Sequence, residues 1–180
     1  MYTLVRKTLE IYLREKRIPT LSDIDPSLLE YTKSKMSVFV TLYYRGKVIA
    51  SSGRIQCKKE NTLYECIDNT LLCLKDPRFT TEIQNLETIN DIRIRVDRFT
   101  SANRRVLKSV QEIDTRDEGI IFLSQNLGKL SIILPHMLHL DSAPENFYVL
   151  ACQKAGVDPA KLTSSDSVLY GIKTESESDF

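Results

Sequence analysis

Few stretches of this sequence carry residues whose types and spacing could do chemistry. Asp76-Pro77-Arg78-Phe79 places a carboxylate two positions before a guanidinium, across a proline. Such a fork can offer paired N–H groups to a carboxylate or phosphate. It can equally close on its own aspartate and fix a turn, with Pro77 as a helix stop and Phe79 as a core anchor. Ser51-Ser52-Gly53 could form an oxyanion-type loop with Ser51 as nucleophile. A serine needs an adjacent base, however, and the nearer histidine, His136, is 85 positions away. A hydrogen-bonded bulge or loop at the end of a strand is therefore expected, and the expected ligand site is Asp76 and Arg78 with Ser51, Ser52 and Gly53.

A second constellation is basic. Arg93, Arg95, Arg98, Arg104, Arg105 and Lys108 fall within 16 residues that hold one acid, Asp97. If the strand face and the following loop are contiguous, they form a patch for phosphate groups, with Tyr43, Tyr44 and Phe99 as stacking surfaces. Otherwise they are a solvated strand face. His136 and His139 could share a helix face, yet neither H-E-x-x-H nor a nearby carboxylate pair accompanies them, so no metal site is expected. Neither G-x-G-x-x-G nor G-x-x-x-x-G-K-[ST] occurs, so no nucleotide cofactor is expected.

The elements that must position these residues are readable from periodicity. Leu4, Val5, Leu9, Tyr12 and Leu13 make one apolar stripe, predicting an amphipathic helix over about 2–17. Ser37 to Tyr43 is β-branched and aromatic, and Arg45-Gly46 turns it into a return strand over 47–50. Thr62 and Glu65 have capping-box spacing and open a helix that ends at Asp76 before Pro77. A shorter helix is expected over about 81–88. Asp91 to Asp97 alternates strictly, predicting a strand with one buried and one charged face. Residues 100–116 are expected to be irregular. A hairpin over 119–123 and 130–134, a helix framed by Ser142, Glu145 and Gly156, and a strand over 168–172 follow. Residues 175–180, with acids at alternate positions, are expected to be disordered. Hairpins outnumber strand–helix–strand units, so the fold class is α+β, mostly antiparallel sheet with helices packed on it, as one domain over 1–174 or two small lobes sharing one core.

Composition narrows the function classes without choosing one. The 180 residues carry 25 Lys+Arg against 24 Asp+Glu, which disfavours a dedicated polyanion or membrane binder. The four cysteines form no C-x-x-C pair and read as reduced thiols, so the cytoplasm is the default compartment, with the nucleus left open.

Seven short stretches in order resemble the AMMECR domain family, named after a human chromosomal-region gene product linked to Alport syndrome and elliptocytosis, with archaeal and bacterial members. They are Val38-Phe39-Val40-Thr41-Leu42, Asp76-Pro77-Arg78-Phe79, Ile92-Arg93-Ile94-Arg95-Val96, Gly119-Ile120-Ile121, Ile133-Leu134-Pro135, Cys152-Gln153-Lys154-Ala155-Gly156 and Tyr170-Gly171-Ile172-Lys173-Thr174-Glu175. The resemblance spans about residues 2–175 and implies an α+β fold on antiparallel sheet, in a family without an established activity. Where that family carries L-R-G-C-I-G, this chain reads Val48-Ile49-Ala50-Ser51-Ser52-Gly53, so only the last glycine remains and Ser51 stands at the cysteine's place. The expectation that follows is a binding or accessory domain recognising a protein partner or a phosphate-bearing ligand. The alternative is an enzyme acting on a nucleotide, modified base or small metabolite in a modification pathway. Direct nucleic-acid binding through the basic patch is a third, minor expectation.

Overall fold

The computed structural model describes residues 1–81, 83–136, 143–162 and 166–180. The chain divides into two compact units, one of residues 1–100 with 175–180, the other of residues 101–174. Each has its own antiparallel sheet and its own apolar core.

The first unit opens with α1 (Tyr2–Glu15), whose Leu4, Val5 and Leu9 are buried. The helix stops at Lys16, which adopts the left-handed conformation and donates its N–H to the Tyr12 carbonyl. The connection over 26–33 is a 3₁₀ helix that begins at Pro26, where Asp25 caps the first turn. Strands β1 (Ser37–Tyr44) and β2 (Lys47–Gly53) form the expected hairpin. The bulge lies between Leu42 and Tyr43, and Ser51–Gly53 continue as regular strand where a loop or bulge was expected, because Thr41, Val40 and Phe39 pair with them in unbroken register. Helix α2 (Thr62–Cys73) follows, then β3 (Arg93–Phe99). The described residues of 81–88 form turns rather than the expected helix, tied by Thr88 Oγ1 to the Ile83 carbonyl at 2.6 Å.

Alternation along β1 sends Val38, Val40 and Leu42 into one core with Leu4 and Leu9 of α1 and Leu63, Cys66 and Ile67 of α2. Ile94 and Val96 of β3 join that core, as their pairing with Leu42 and Val40 requires. Phe39, Thr41 and Tyr43 share the opposite face with Arg95, Asp97, Ser51 and Gly53. The expected contrast of a buried and a charged face on β3 does not hold: Arg95 is 7% exposed and Asp97 fully buried, because their charges neutralise each other at 2.7 Å.

Residues 175–180 correct the sequence reading in the same way. They are not disordered: Glu175–Ser178 form a strand that pairs antiparallel with β3, giving the sheet order β2-β1-β3 followed by this strand. Acidic composition argued for disorder, but opposite charges on β3 and α1 supply what apolar burial does not.

In the second unit β4 (Arg104–Leu107) interrupts the stretch expected to be irregular, and β5 (Gly119–Ser124), β6 (Lys129–Ile133) and β7 (Ser167–Ile172) complete a sheet in the order β4-β7-β5-β6. The strand over 175–178 is therefore β8. Helix α3 (Pro144–Ala155) packs Phe147, Ala151 and Cys152 against Ile120, Phe122 and Ile133. Gly156 closes it at φ 69°, donating back to the Cys152 and Gln153 carbonyls, as the Gly156 stop predicts. The expected cap Ser142 and metal candidate His139 lie outside the described residues. No helix among the described residues is long and apolar enough to cross a membrane.

Candidate functional site

Strand β2 is an edge strand, and an edge exposes a row of unpaired backbone groups. Here the turn after α2 covers part of that edge. Asp76 Oδ2 accepts from the Ser51 N–H at 3.2 Å. The same carboxylate accepts from the Arg78 N–H at 3.0 Å, from Arg78 Nε at 2.9 Å and from Nη2 at 2.6 Å. Pro77 holds the two residues in the short arc that makes this possible. The structure thus brings Ser51, Asp76 and Arg78 together, as the sequence suggested.

Arg78 beside it, and the backbone donors of Arg78 and Ser51, hold the Asp76 carboxyl at about 2 against the opposing effect of burial. All four of its acceptor directions are taken, so it is a fixed negative charge and not a proton acceptor near neutrality. Arg78 is correspondingly raised, first by the Asp76 hydrogen bonds. Its side chain is 52% exposed, and Nη1 has no hydrogen-bond partner among the described residues.

Ser51 and Ser52 point to opposite faces. Ser51 Oγ lies 3.3 Å from Thr41 Oγ1, a hydroxyl pair with no base beside it among the described residues. Ser52 Oγ meets Asn69 Oδ1 at 3.2 Å, under the sheet. The surviving glycine has a packing reason: a Cβ at Gly53 would lie 2.2 Å from the Phe39 ring, its cross-strand partner. Cys73, below the same strand, contacts the Val40 carbonyl at 3.6 Å. Burial, with the Asp76 charge adding to it, pushes that thiol up to about 12, so it stays protonated.

Sequence reasoning missed the second half of the arrangement. Glu65, fully buried, accepts from Arg54 Nη1 at 2.9 Å, from the Lys58 and Lys59 N–H groups at 2.9 Å each, and from Asn69 Nδ2 at 3.1 Å. Burial pushes its carboxyl up, but the Arg54 bond and the two backbone donors outweigh this and hold it below the ordinary value. Arg54 also binds Asp68 at 2.5 Å, and Lys59 binds Asp68 at 2.9 Å. The expected capping box at Thr62 and Glu65 is displaced: Asn61 caps α2 by accepting from the Tyr64 N–H, which frees Glu65 for Arg54. The signal available in sequence was an acid inside the apolar stripe of α2, four residues before Asn69 and preceded by Arg54, Lys58 and Lys59. Ser51, Ser52 and Arg54 are thus each anchored to α2 or its following turn.

An open groove of about 280 Å³ runs beside α2, lined by Ile18, Lys59, Tyr64, Ile67, Asp68 and Leu71. None of Ser51, Ser52, Gly53, Asp76 or Arg78 lines it.

The basic residues do not act as one free patch. Arg95 is bound to Asp97 at 2.7 Å and Arg98 to Glu177 at 2.7 Å, with Arg98 over the Tyr31 ring at 4.7 Å. Arg93 is exposed at the start of β3 and reaches the Asp179 carbonyl at 3.3 Å. In the second unit Arg105 forks onto Glu118 at 2.8 and 2.7 Å, while Arg104 is half-buried and Lys108 exposed. No cluster of three or more His, Cys, Asp or Glu side chains suited to a metal occurs among the described residues.

Two antiparallel four-stranded sheets with helices define an α+β protein. The AMMECR1 family model matches residues 2–175, and the chain belongs to the AMMECR1 family. Among solved structures it is similar to the uncharacterized protein PH0010 from Pyrococcus horikoshii, at 20% identity and a TM-score of 0.79, over 97% of this chain and 87% of that one. That likeness concerns the fold. No curated protein matches the chain.

Proposed function

We propose that this chain is a binding domain that recognises an anionic group, a phosphate or carboxylate of a small ligand or partner protein, at the Asp76–Arg78 turn on the β2 edge. One observation carries the reading. Asp76 engages Nε and Nη2 of Arg78 and so aims the guanidinium, while Nη1 keeps its donors and half of the side chain stays exposed. A pre-aimed guanidinium loses less side-chain freedom on binding than a loose one.

The protonation states favour binding over acid–base catalysis. Asp76 is held at about 2 and Cys73 at about 12, the wrong directions for a general base and for a thiolate nucleophile near neutrality. The groove beside α2 lies on other residues.

The test is a thermal-shift screen of phosphate-bearing and carboxylate metabolites on the wild type and Arg78→Ala in parallel. Ligands that raise the wild-type transition are expected to lose the effect in Arg78→Ala; a ligand at about 100 times its Kd adds ~2.7 kcal/mol. Hits that stabilise both proteins equally would remove Arg78 from the site. Turnover of a hit by the wild type would favour the enzyme instead.

A further inference from the structure

Strand β8 is held in an unusual way. It contributes no aliphatic side chain, and the adjacent Phe180 is 59% exposed, with its ring edge-on to Tyr43 at 5.5 Å. What holds the segment is the backbone ladder to β3 and a set of charges. Glu175, Glu177 and Asp179 share one face, as their register against Arg98, Val96 and Ile94 dictates. Arg98 pairs with Glu177 at 2.7 Å and with Glu175 at 3.4 Å. Arg6 of α1 pairs with Asp179, whose other oxygen takes the Ile94 N–H at 2.7 Å. Ser176 and Ser178 occupy the alternate face, where Ser176 Oγ donates to Asp97 Oδ1 at 2.5 Å.

The fit is incomplete at one point. The Arg98 side chain is only 9% exposed, and its Nε is buried with no hydrogen-bond partner among the described residues. Glu175, the acid beside it, makes the longer contact and is 60% exposed. A carboxylate seated squarely across Nε and Nη2 would form the two-pronged pair that Glu175 does not. Lifting β8 breaks the pairs with Arg98 and Arg6 and that of Glu177 with the Met1 ammonium at 2.6 Å, while Ile94 and Val96 belong to the core with α1 and α2. It leaves an open strand edge flanked by Arg6 and Arg98, the arrangement that accepts an added strand.

We propose that the outer edge of β3 is a docking groove for an extended acidic segment of a partner protein, and that residues 175–179 occupy it as an exchangeable strand. The groove reads acids at alternate positions on the Arg98 and Arg6 side and small hydroxyl residues between them. A tethered segment acts as a competitor at roughly millimolar effective concentration, so the partner gains access by satisfying Arg98 Nε or when the resident strand is weakened. This site is separate from the one at Arg78, and neither depends on the other.

The test uses the full chain carrying Glu175→Ala, Glu177→Ala and Asp179→Ala together, and a fluorescent peptide with the sequence of residues 173–180. Anisotropy is expected to show the peptide binding the triple variant at least about tenfold more tightly than the wild type, and more weakly as salt rises. Adding Arg98→Ala to the triple variant is expected to abolish binding, and a peptide with Lys at the three acidic positions is expected not to bind. A folded triple variant, checked by circular dichroism, that ignores the peptide would overturn the proposal, as would binding untouched by Arg98→Ala. Should the triple variant not fold, hydrogen exchange on the wild type decides: amides of 175–179 are expected to exchange at least about tenfold faster than those of 38–42, and equal protection overturns exchangeability. A concentration-dependent dimer of the wild type, linked through Arg98 and Glu177, would replace the partner with a second copy of the chain and overturn the proposal in that form.

Discussion

Replacing Asp76 with Asn isolates the charge that organises the β2 edge. The carboxyl drops from its ordinary 3.8 to about 2 on folding, which corresponds to ~2.4 kcal/mol of extra interaction with the ionised form. Half of the Arg78 side chain is in solvent, so screening reduces this, and the expected loss for Asp76→Asn near neutrality is about 1–2 kcal/mol. The sign with pH follows from the lowered folded-state value. The stabilisation is fully present above the unfolded value near 4 and is lost as pH falls through about 2. The wild type and Asp76→Asn should therefore differ in urea midpoint near neutrality and converge toward about pH 2, because every other carboxylate titrates alike in both. The chain has no tryptophan, so far-UV circular dichroism is the probe. High salt should shrink the difference but not erase it, since Asp76 itself is only 11% exposed. A gap that is the same at both ends of the pH range would refute the ion-pair account, and so would no gap near neutrality.

Other perturbations test the same frame. Gly53→Ala drives a methyl to within 2.2 Å of the Phe39 ring and should cost about 1–3 kcal/mol, with Phe39→Leu restoring part of the loss; an Ala variant of wild-type stability would show that the ring moves freely. Glu65→Ala leaves Arg54 and the Lys58 and Lys59 amides without their acceptor and should cost roughly 3–5 kcal/mol in urea unfolding, more than Glu65→Gln. In thiol labelling near neutrality, half-exposed Cys57 should react first while Cys66 and Cys73, both pushed up to about 12 chiefly by burial, react only as the protein opens; mass spectrometry showing Cys73 modified first would contradict the inert reading.

Elements with strong periodicity were legible in the sequence: α1, the β1–β2 and β5–β6 hairpins and β7 follow from alternation and turn residues alone. Asp76 and Arg78 were legible because the pair is local, two residues apart across a proline. What escaped depends on partners distant in sequence. Glu65 looked like half of a capping box, and only folding brings Arg54 and the 58–59 amides onto it. The segment 175–180 looked like a solvated tail because its binding partners, Arg6, Arg95 and Arg98, lie more than 75 positions away. The same three-dimensional pairing hid the fate of the basic run 93–108, in which Arg95, Arg98 and Arg105, three of the six basic residues, are paired with acids in space.

The most direct measurement of anion recognition at the β2 edge is a nitrogen-15 NMR titration with pyrophosphate, following the Nε–H signal of Arg78 assigned through Arg78→Lys. Asp76 holds that N–H at 2.9 Å, so its signal should be protected from exchange and resolved from those of exposed arginines. A saturable shift confined to Arg78 and the Ser51 and Arg78 amides, and diminished in Asp76→Asn, is the predicted result. A weak, non-saturating shift equal to that of exposed Arg45 would contradict it.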